Sequence, residues 1–191
     1  ALGPLTNLAL ALQRDPSRVA RIRRVVIMGG TVAGPGNITP AAEFNFYVDP
    51  EAARQVLGAG LPIELVPLDV TRQAVLSRPA LELRLSQCPG PVSQFISDFT
   101  QDGFVFGDRT GEGGLTLHDP LALAVAVDPT LVTFESLSVD VECEGTLTRG
   151  MSVADRRPRA HAYPRNCRVA MSLDATRFLE FFLDRVCRAS S

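Results

Sequence analysis

Lysine is absent from this sequence: all 19 cationic side chains are arginine. Phosphate and carboxylate recognition work with either cation, differing in geometry, so the bias decides nothing about function. A cationic surplus is missing as well. The formal net charge is -2 and the pI is near 5.7, which removes the basic field that draws in nucleic acid or anionic lipid and leaves a small, weakly charged ligand as the better fit. Cysteine is sparse. Cys88, Cys143, Cys167 and Cys187 form no C-x-x-C pair, which excludes a zinc knuckle or thioredoxin-like motif and points to reduced, buried thiols. No stretch approaches the ~18 consecutive apolar residues of a membrane span, and no charged-then-apolar leader opens the chain. No membrane partner and a cytoplasmic location are therefore expected. Common catalytic signatures are missing too: there is no G-x-x-x-x-G-K-[ST], no H-E-x-x-H and no G-x-S-x-G.

What is present is a sequence of 191 residues, 46% hydrophobic and 21% charged, enough for one folded domain over residues 1–191. It enters an apolar run almost at once after Ala1, as a chain cut from something longer would. Residues 6–14 suit a short buried helix capped by Thr6 or Asn7. Arg24–Met28 and Pro62–Leu68 read as buried strands of a parallel sheet, separated by a glycine-rich loop from Gly29 and by a helix that Asp49-Pro50-Glu51 opens. This order predicts an α/β fold, a mostly parallel open sheet flanked by helices. Helical spacing recurs at Pro79–Ser86, Val92–Phe99 and His118–Val127. Thr133–Glu142 and Thr146–Ala154 then predict a C-terminal β-hairpin about Glu144-Gly145. A last strand, Arg168–Leu173, leads into an Asp174-capped helix with Phe178, Leu179, Phe182 and Leu183 on one face.

Two constellations carry chemistry. Met28–Ala53 places Asn37, Glu43 and Asn45 in a loop after a strand, where α/β folds bind ligands. Two amides and a carboxylate suit a sugar, accepting from and donating to neighbouring hydroxyls; Glu43 and Asn45 share a face if the piece is extended. On the residues alone, Asn37 can equally close a turn, and Glu43 and Asn45 can be solvated. The second is T-L-H-D-P-L-A-L-A. His118 is a proton donor near neutral pH and Asp119 a hard oxygen ligand for Ca²⁺ or Mg²⁺, although Asp-Pro is also a helix-start pattern. Arg156-Arg157-Pro158-Arg159 reads as a solvated run or a ligand contact.

Taken together, G-P-L-T-N-L-A-L-A-L, M-G-G-T-V-A-G-P-G-N, A-E-F-N-F-Y-V-D-P-E-A-A and L-H-D-P-L-A resemble the nucleoside hydrolases, the inosine-uridine preferring nucleoside N-ribohydrolases, in that family's order. G-T-L-T-R-G-M-S-V-A-D-R-R-P resembles the family's C-terminal hairpin. The resemblance implies hydrolysis of a ribonucleoside to ribose and free base by a Ca²⁺-activated water. It implies that the Thr6 carbonyl and the Asp119 side chain are calcium ligands, that Asn37, Glu43 and Asn45 hold the ribose hydroxyls, and that His118 assists departure of the base. A homodimer or homotetramer is implied for the full-length protein.

The family's first strand ends in an aspartate cluster, D-x-D-x-x-x-D-D, which supplies most calcium ligands and the base that activates water. These 191 residues contain no such cluster, so the resemblance implies a fold incomplete at the N-terminus and an incomplete calcium site in this chain. A non-catalytic module that keeps the ribose loop or serves as an oligomer subunit is the alternative; a plain nucleotide-binding domain is disfavoured by the missing phosphate loop.

Overall fold

A computed structural model describes residues 1–19, 21–157 and 163–188. In chain order its elements begin with α1 (Thr6–Arg14), α2 (Pro16–Val19), β1 (Val25–Met28), α3 (Phe44–Val48), α4 (Pro50–Leu57) and β2 (Ile63–Val66). They continue with α5 (Leu68–Thr71), β3 (Val75–Leu76), α6 (Arg78–Ser86), α7 (Pro91–Thr110), β4 (Leu115–Thr116) and α8 (His118–Val127). A 3₁₀ turn at Pro129–Leu131 precedes β5 (Val132–Leu137), β6 (Val139–Val141), β7 (Ser152–Ala154), β8 (Cys167–Leu173) and α9 (Ala175–Arg188). The chain forms two compact units, one of Ala1–Val70 with Val132–Ser172, the other of Thr71–Leu131 with the described part of Leu173–Ser191.

The first unit is built on a sheet of order β1-β2-β8-β5. β1 pairs with β2 in parallel, Val25 opposite Ile63 through Met28 opposite Val66, and β2 pairs with β8 in parallel, Ile63 opposite Cys167. Every residue of β2 is buried, which is why it reads in sequence as an unbroken apolar run broken only by Glu64. That carboxylate, 4% exposed, accepts from Arg168 at 2.6 Å through Oε1, while Oε2 has no hydrogen bond among the described residues and is balanced by the Arg24 charge at 3.5 Å. Ile27, Leu65 and Val169 from the strands, Ala53, Val56 and Leu57 from α4, and Ala9 and Leu12 from α1 make one apolar core. Full burial of each large aliphatic side chain contributes roughly 1.5–3 kcal/mol. The predicted hairpin is present with tighter bounds: β6 pairs antiparallel with β7, Val139 opposite Ala154. Thr133–Leu137 is not part of it, because β5 pairs into the main sheet instead.

In the second unit β3 and β4 form a short antiparallel pair, Val75 opposite Thr116, accompanied by α6, α7, α8 and α9. The α9 helix is capped as expected by Asp174, which accepts from Arg177 N at 3.1 Å, and it buries Phe178 completely. The α7 helix runs over Pro91–Thr110, well past the predicted end at Phe99. Gly103 and Gly107 look like breakers in sequence; at Gly107 the absent Cβ leaves room for the Gly114 carbonyl.

Two local expectations are corrected. Neither Thr6 nor Asn7 caps α1: Leu5 holds the cap position with no side-chain bond, and the Thr6 hydroxyl donates to Asp49 Oδ2 at 2.5 Å. Cys143 and Cys167 are free and buried, but Cys88 is disulfide-bonded; wide spacing along the chain says nothing about neighbours in space.

Candidate functional site

Asn37, Glu43, Asn45 and Thr6 belong to the first unit, His118 and Asp119 to the second. The first group is organised by the loop that leaves the carboxyl end of β1. Its backbone is closed by Gly36 N donating to Pro40 O at 3.0 Å and Asn37 N to Ala42 O at 3.1 Å. A side chain at position 36 would collide with the backbone of Thr39 and Ala42, so only glycine fits.

Glu43 and Asn45 are not solvated: they are 2% and 7% exposed. Nor is the segment extended. Glu43 is the N-cap of α3, its Oε1 accepting from Asn45 N at 2.8 Å and its Oε2 from Phe46 N at 3.2 Å and Gly30 N at 2.9 Å. The carboxylate thus ties the start of a helix to the loop after β1, the arrangement expected when a buried anion must be matched by donors. Asn45 Nδ2 donates to Met28 O at 3.2 Å at the end of β1. Its Oδ1 makes no bond among the described residues. Asn37 is exposed and its Oδ1 accepts from Phe44 N at 2.9 Å, so it does close a turn onto the helix that carries Asn45.

Two residues that the sequence reading passed over hold this loop in place. The Asp69 carboxylate, just beyond β2, accepts from four donors: Val32 N and Ala33 N at 2.8 Å, Gly34 N at 3.0 Å and Thr31 Oγ1 at 3.1 Å. Ser152 Oγ, on β7, accepts from Thr31 N at 2.8 Å and donates to Thr31 O at 2.7 Å. An acid directly after a buried strand in P-L-D-V-T was the available signal for Asp69; nothing local distinguished Ser152. In the second unit Thr71, likewise passed over, faces His118.

His118 and Asp119 are the first two residues of α8. Leu117 holds the cap position with no side-chain bond, so Asp119 is not the helix cap, whereas Asp49 does cap α4 through Ala52 N at 3.0 Å. His118 Nδ1 lies 2.7 Å from the Thr71 hydroxyl. Burial lowers the His118 pKa from the usual 6.5, with Arg72 acting the same way and Glu112 and Asp119 opposing. The Asp119 carboxyl is raised, chiefly because water is displaced around it, with His118 opposing. Both shifts reduce charge at the start of α8.

Calcium takes 6–8 oxygen ligands. Among the described residues no group of three or more His, Cys, Asp or Glu is placed to hold a metal, so Thr6 and Asp119 do not by themselves make up such a site. A cavity of about 1540 Å³ in the first unit is lined by Arg54, Asp140, Arg156, Arg157 and Arg165 among others, and by none of the candidate residues. Arg156 and Arg157, read in sequence as a solvated run or a ligand contact, border it. Arg157 there is paired with Asp155 at 2.7 Å; Pro158 and Arg159 lie outside the described residues.

The family model for inosine-uridine preferring nucleoside hydrolases matches residues 1–180. A pyrimidine-specific ribonucleoside hydrolase of Shewanella sp. (strain MR-7) is 39% identical over 184 residues, 95% of this chain and 57% of the relative. The inosine-uridine preferring nucleoside hydrolase of Leishmania major is 38% identical over 189 residues, 97% of this chain and 58% of the relative. Among solved structures, the purine-preferring ribonucleoside hydrolase from Gardnerella vaginalis superposes with a TM-score of 0.91 at 35% identity, covering 99% of this chain and 60% of that one. The chain thus spans about three-fifths of the length of the relatives it matches. Motif order, parallel sheet, and similarity in both sequence and structure agree: this chain belongs to the inosine-uridine preferring nucleoside hydrolase family.

Proposed function

We propose that this chain serves hydrolysis of the N-glycosidic bond of ribonucleosides, releasing ribose and free base. The observation that carries the reading is the buried pair Glu43 and Asn45 in the loop that leaves β1, with the amide oxygen of Asn45 making no bond among the described residues. Fixed polar groups with spare capacity suit a polyhydroxylated ligand, because an acceptor without a protein donor is open to a hydroxyl. Asn45 Oδ1 would accept from a ribose hydroxyl, and Asn37 would border the same loop. The Glu43 carboxylate would add negative charge near the sugar, which favours the oxocarbenium-like cation formed as the bond to the base breaks. His118 would hydrogen-bond or protonate the leaving base, and a single positioned acid or base of this kind contributes about 10²–10⁴-fold in rate.

Calcium enters this reading only through the family. Thr6 and Asp119 would offer it oxygens, and the ion would lower the pKa of a bound water. Base preference is likewise not settled by likeness, since relatives named pyrimidine-specific, inosine-uridine preferring and purine-preferring stand at 39%, 38% and 35% identity. Cytoplasmic placement and self-association complete the proposal. Exposed Phe95, Phe99 and Phe106 on α7 support a covered surface, since exposed apolar patches mark contact sites.

Ribose release from inosine, uridine and cytidine, with and without Ca²⁺, tests the reading. N45A is expected to raise KM or abolish turnover, and H118A to lower kcat on purine nucleosides by about 10²-fold or more. Wild-type rates in both variants overturn the assignment. Ribose binding in calorimetry without turnover selects the second reading, a non-catalytic nucleoside-binding module, which the lack of a metal cluster among the described residues favours.

A further inference from the structure

His118 has one ring nitrogen committed, Nδ1, at 2.7 Å from the Thr71 hydroxyl. Thr71 is wholly buried, and its hydroxyl makes no other hydrogen bond among the described residues. Its backbone carbonyl is satisfied separately, by Ala74 N at 3.0 Å. A buried hydroxyl with one partner can donate to the ring or accept from it. If it accepts, its own O–H points into the protein with no acceptor; if it donates, only lone pairs go unused, which is the smaller loss.

We propose that Thr71 is a positioning residue whose O–H donates to His118 Nδ1 and thereby fixes the ring in the tautomer that carries its proton on Nε2. The bond made by one imidazole nitrogen decides where the other holds its proton. Nε2 makes no bond among the described residues, so the fixed proton sits on the nitrogen that remains available to a ligand. The inference rests on the leaving-group role proposed for His118, because a departing base needs a donor rather than an acceptor facing it. Thr71 acts through the ring and touches no substrate.

The test reads the tautomer directly. The chain has two histidines, so ¹⁵N-histidine labelling gives a spectrum that H118Q assigns. At about pH 8, where an ordinary imidazole is neutral, the wild-type ring should be almost entirely the Nε2–H form. T71V keeps the shape and removes the donor; it should shift the tautomer ratio several-fold toward Nδ1–H, and T71S should restore it. An Nδ1–H ring in the wild type, or an unchanged ratio in T71V, overturns the proposal. In inosine turnover T71V should lower kcat about tenfold at similar KM, with T71S close to wild type. A shifted tautomer with unchanged kcat in T71V overturns the positioning role. Unchanged turnover in H118A instead removes the leaving-group reading on which that role depends, and leaves the hydrogen bond standing alone.

Discussion

Glu43 shows how one residue can belong to the fold and to the chemistry at once. Its two carboxylate oxygens take three backbone N–H groups, from Gly30, Asn45 and Phe46. In E43Q one of those oxygens becomes an NH₂ that faces an N–H donor, leaving at least one buried donor unmatched. The expected cost is roughly 1–3 kcal/mol of unfolding free energy, read by urea denaturation, together with loss of the loop's order. An E43Q variant as stable as wild type would contradict the cap geometry. Glu43 and Asn45 drew attention because they lie in a loop after a strand, two positions apart, which puts both on one face of an extended segment. That spacing suggested an extended segment, whereas Asn45 and Phe46 lie on the short helix α3. An N-cap glutamate two residues before a buried asparagine mimics period-two spacing, so the residues were legible and their conformation was not.

At the scale of elements, the loop after β1 is held by three separate parts of the chain: Glu43, Ser152 on β7 and Asp69 beyond β2. Asp69 carries the most bonds, so D69N should release Val32, Ala33 and Gly34, since an amide offers one acceptor oxygen where the carboxylate offered two. Amide hydrogen exchange at those three residues should quicken by about tenfold or more, corresponding to ~1.4 kcal/mol or more of lost local protection, while the strand amides of β2 keep theirs. Exchange at those three residues unchanged, or quickened no more than in β2, would show that the latch is not Asp69. Strands β1 and β2 were legible because strands of a parallel sheet read as short apolar runs, and β2 is buried at every position. Helix α7 was legible only in its first half, since Gly103 makes room for the Leu115 side chain and Gly107 for the Gly114 backbone, tertiary demands that no local pattern announces. Asp69 and Ser152 act across 35–38 and 121 residues of separation, which places them beyond any motif.

For the whole molecule the titrating groups predict a stability dome with two distinct flanks. Glu51 is depressed from 4.5 by its hydrogen bonds, first that from Arg149, and Asp128 from 3.8 by its bonds from Thr130 with help from Arg177. Carboxyls lowered in the folded state contribute stability that is fully present above 4.5 and 3.8 and is lost as pH falls through their lower folded values. Buried His118, lowered from 6.5, adds to the same flank from about neutrality downward, because the folded chain resists its protonation. Glu51 is exposed and Asp128 only half-buried, so their share is small and screened by salt. On the alkaline side the sign reverses. Burial raises the Cys167 thiol from 9.0 to about 12, so the folded chain keeps a proton that the unfolded chain releases. Stability is then lost between about pH 9 and pH 12 at ~1.4 kcal/mol per pH unit from this one group. Urea midpoints measured across pH should decline on both sides of neutrality. C167A should flatten the alkaline flank, and E51Q with D128N should flatten the acid one. Alkylation gives an independent check: native Cys167 should resist iodoacetamide at neutral pH and react once the chain is unfolded, because only the thiolate attacks. Rapid alkylation of Cys167 in the native protein, with an alkaline flank unchanged in C167A, would mean that β8 does not bury that thiol as the sheet order requires.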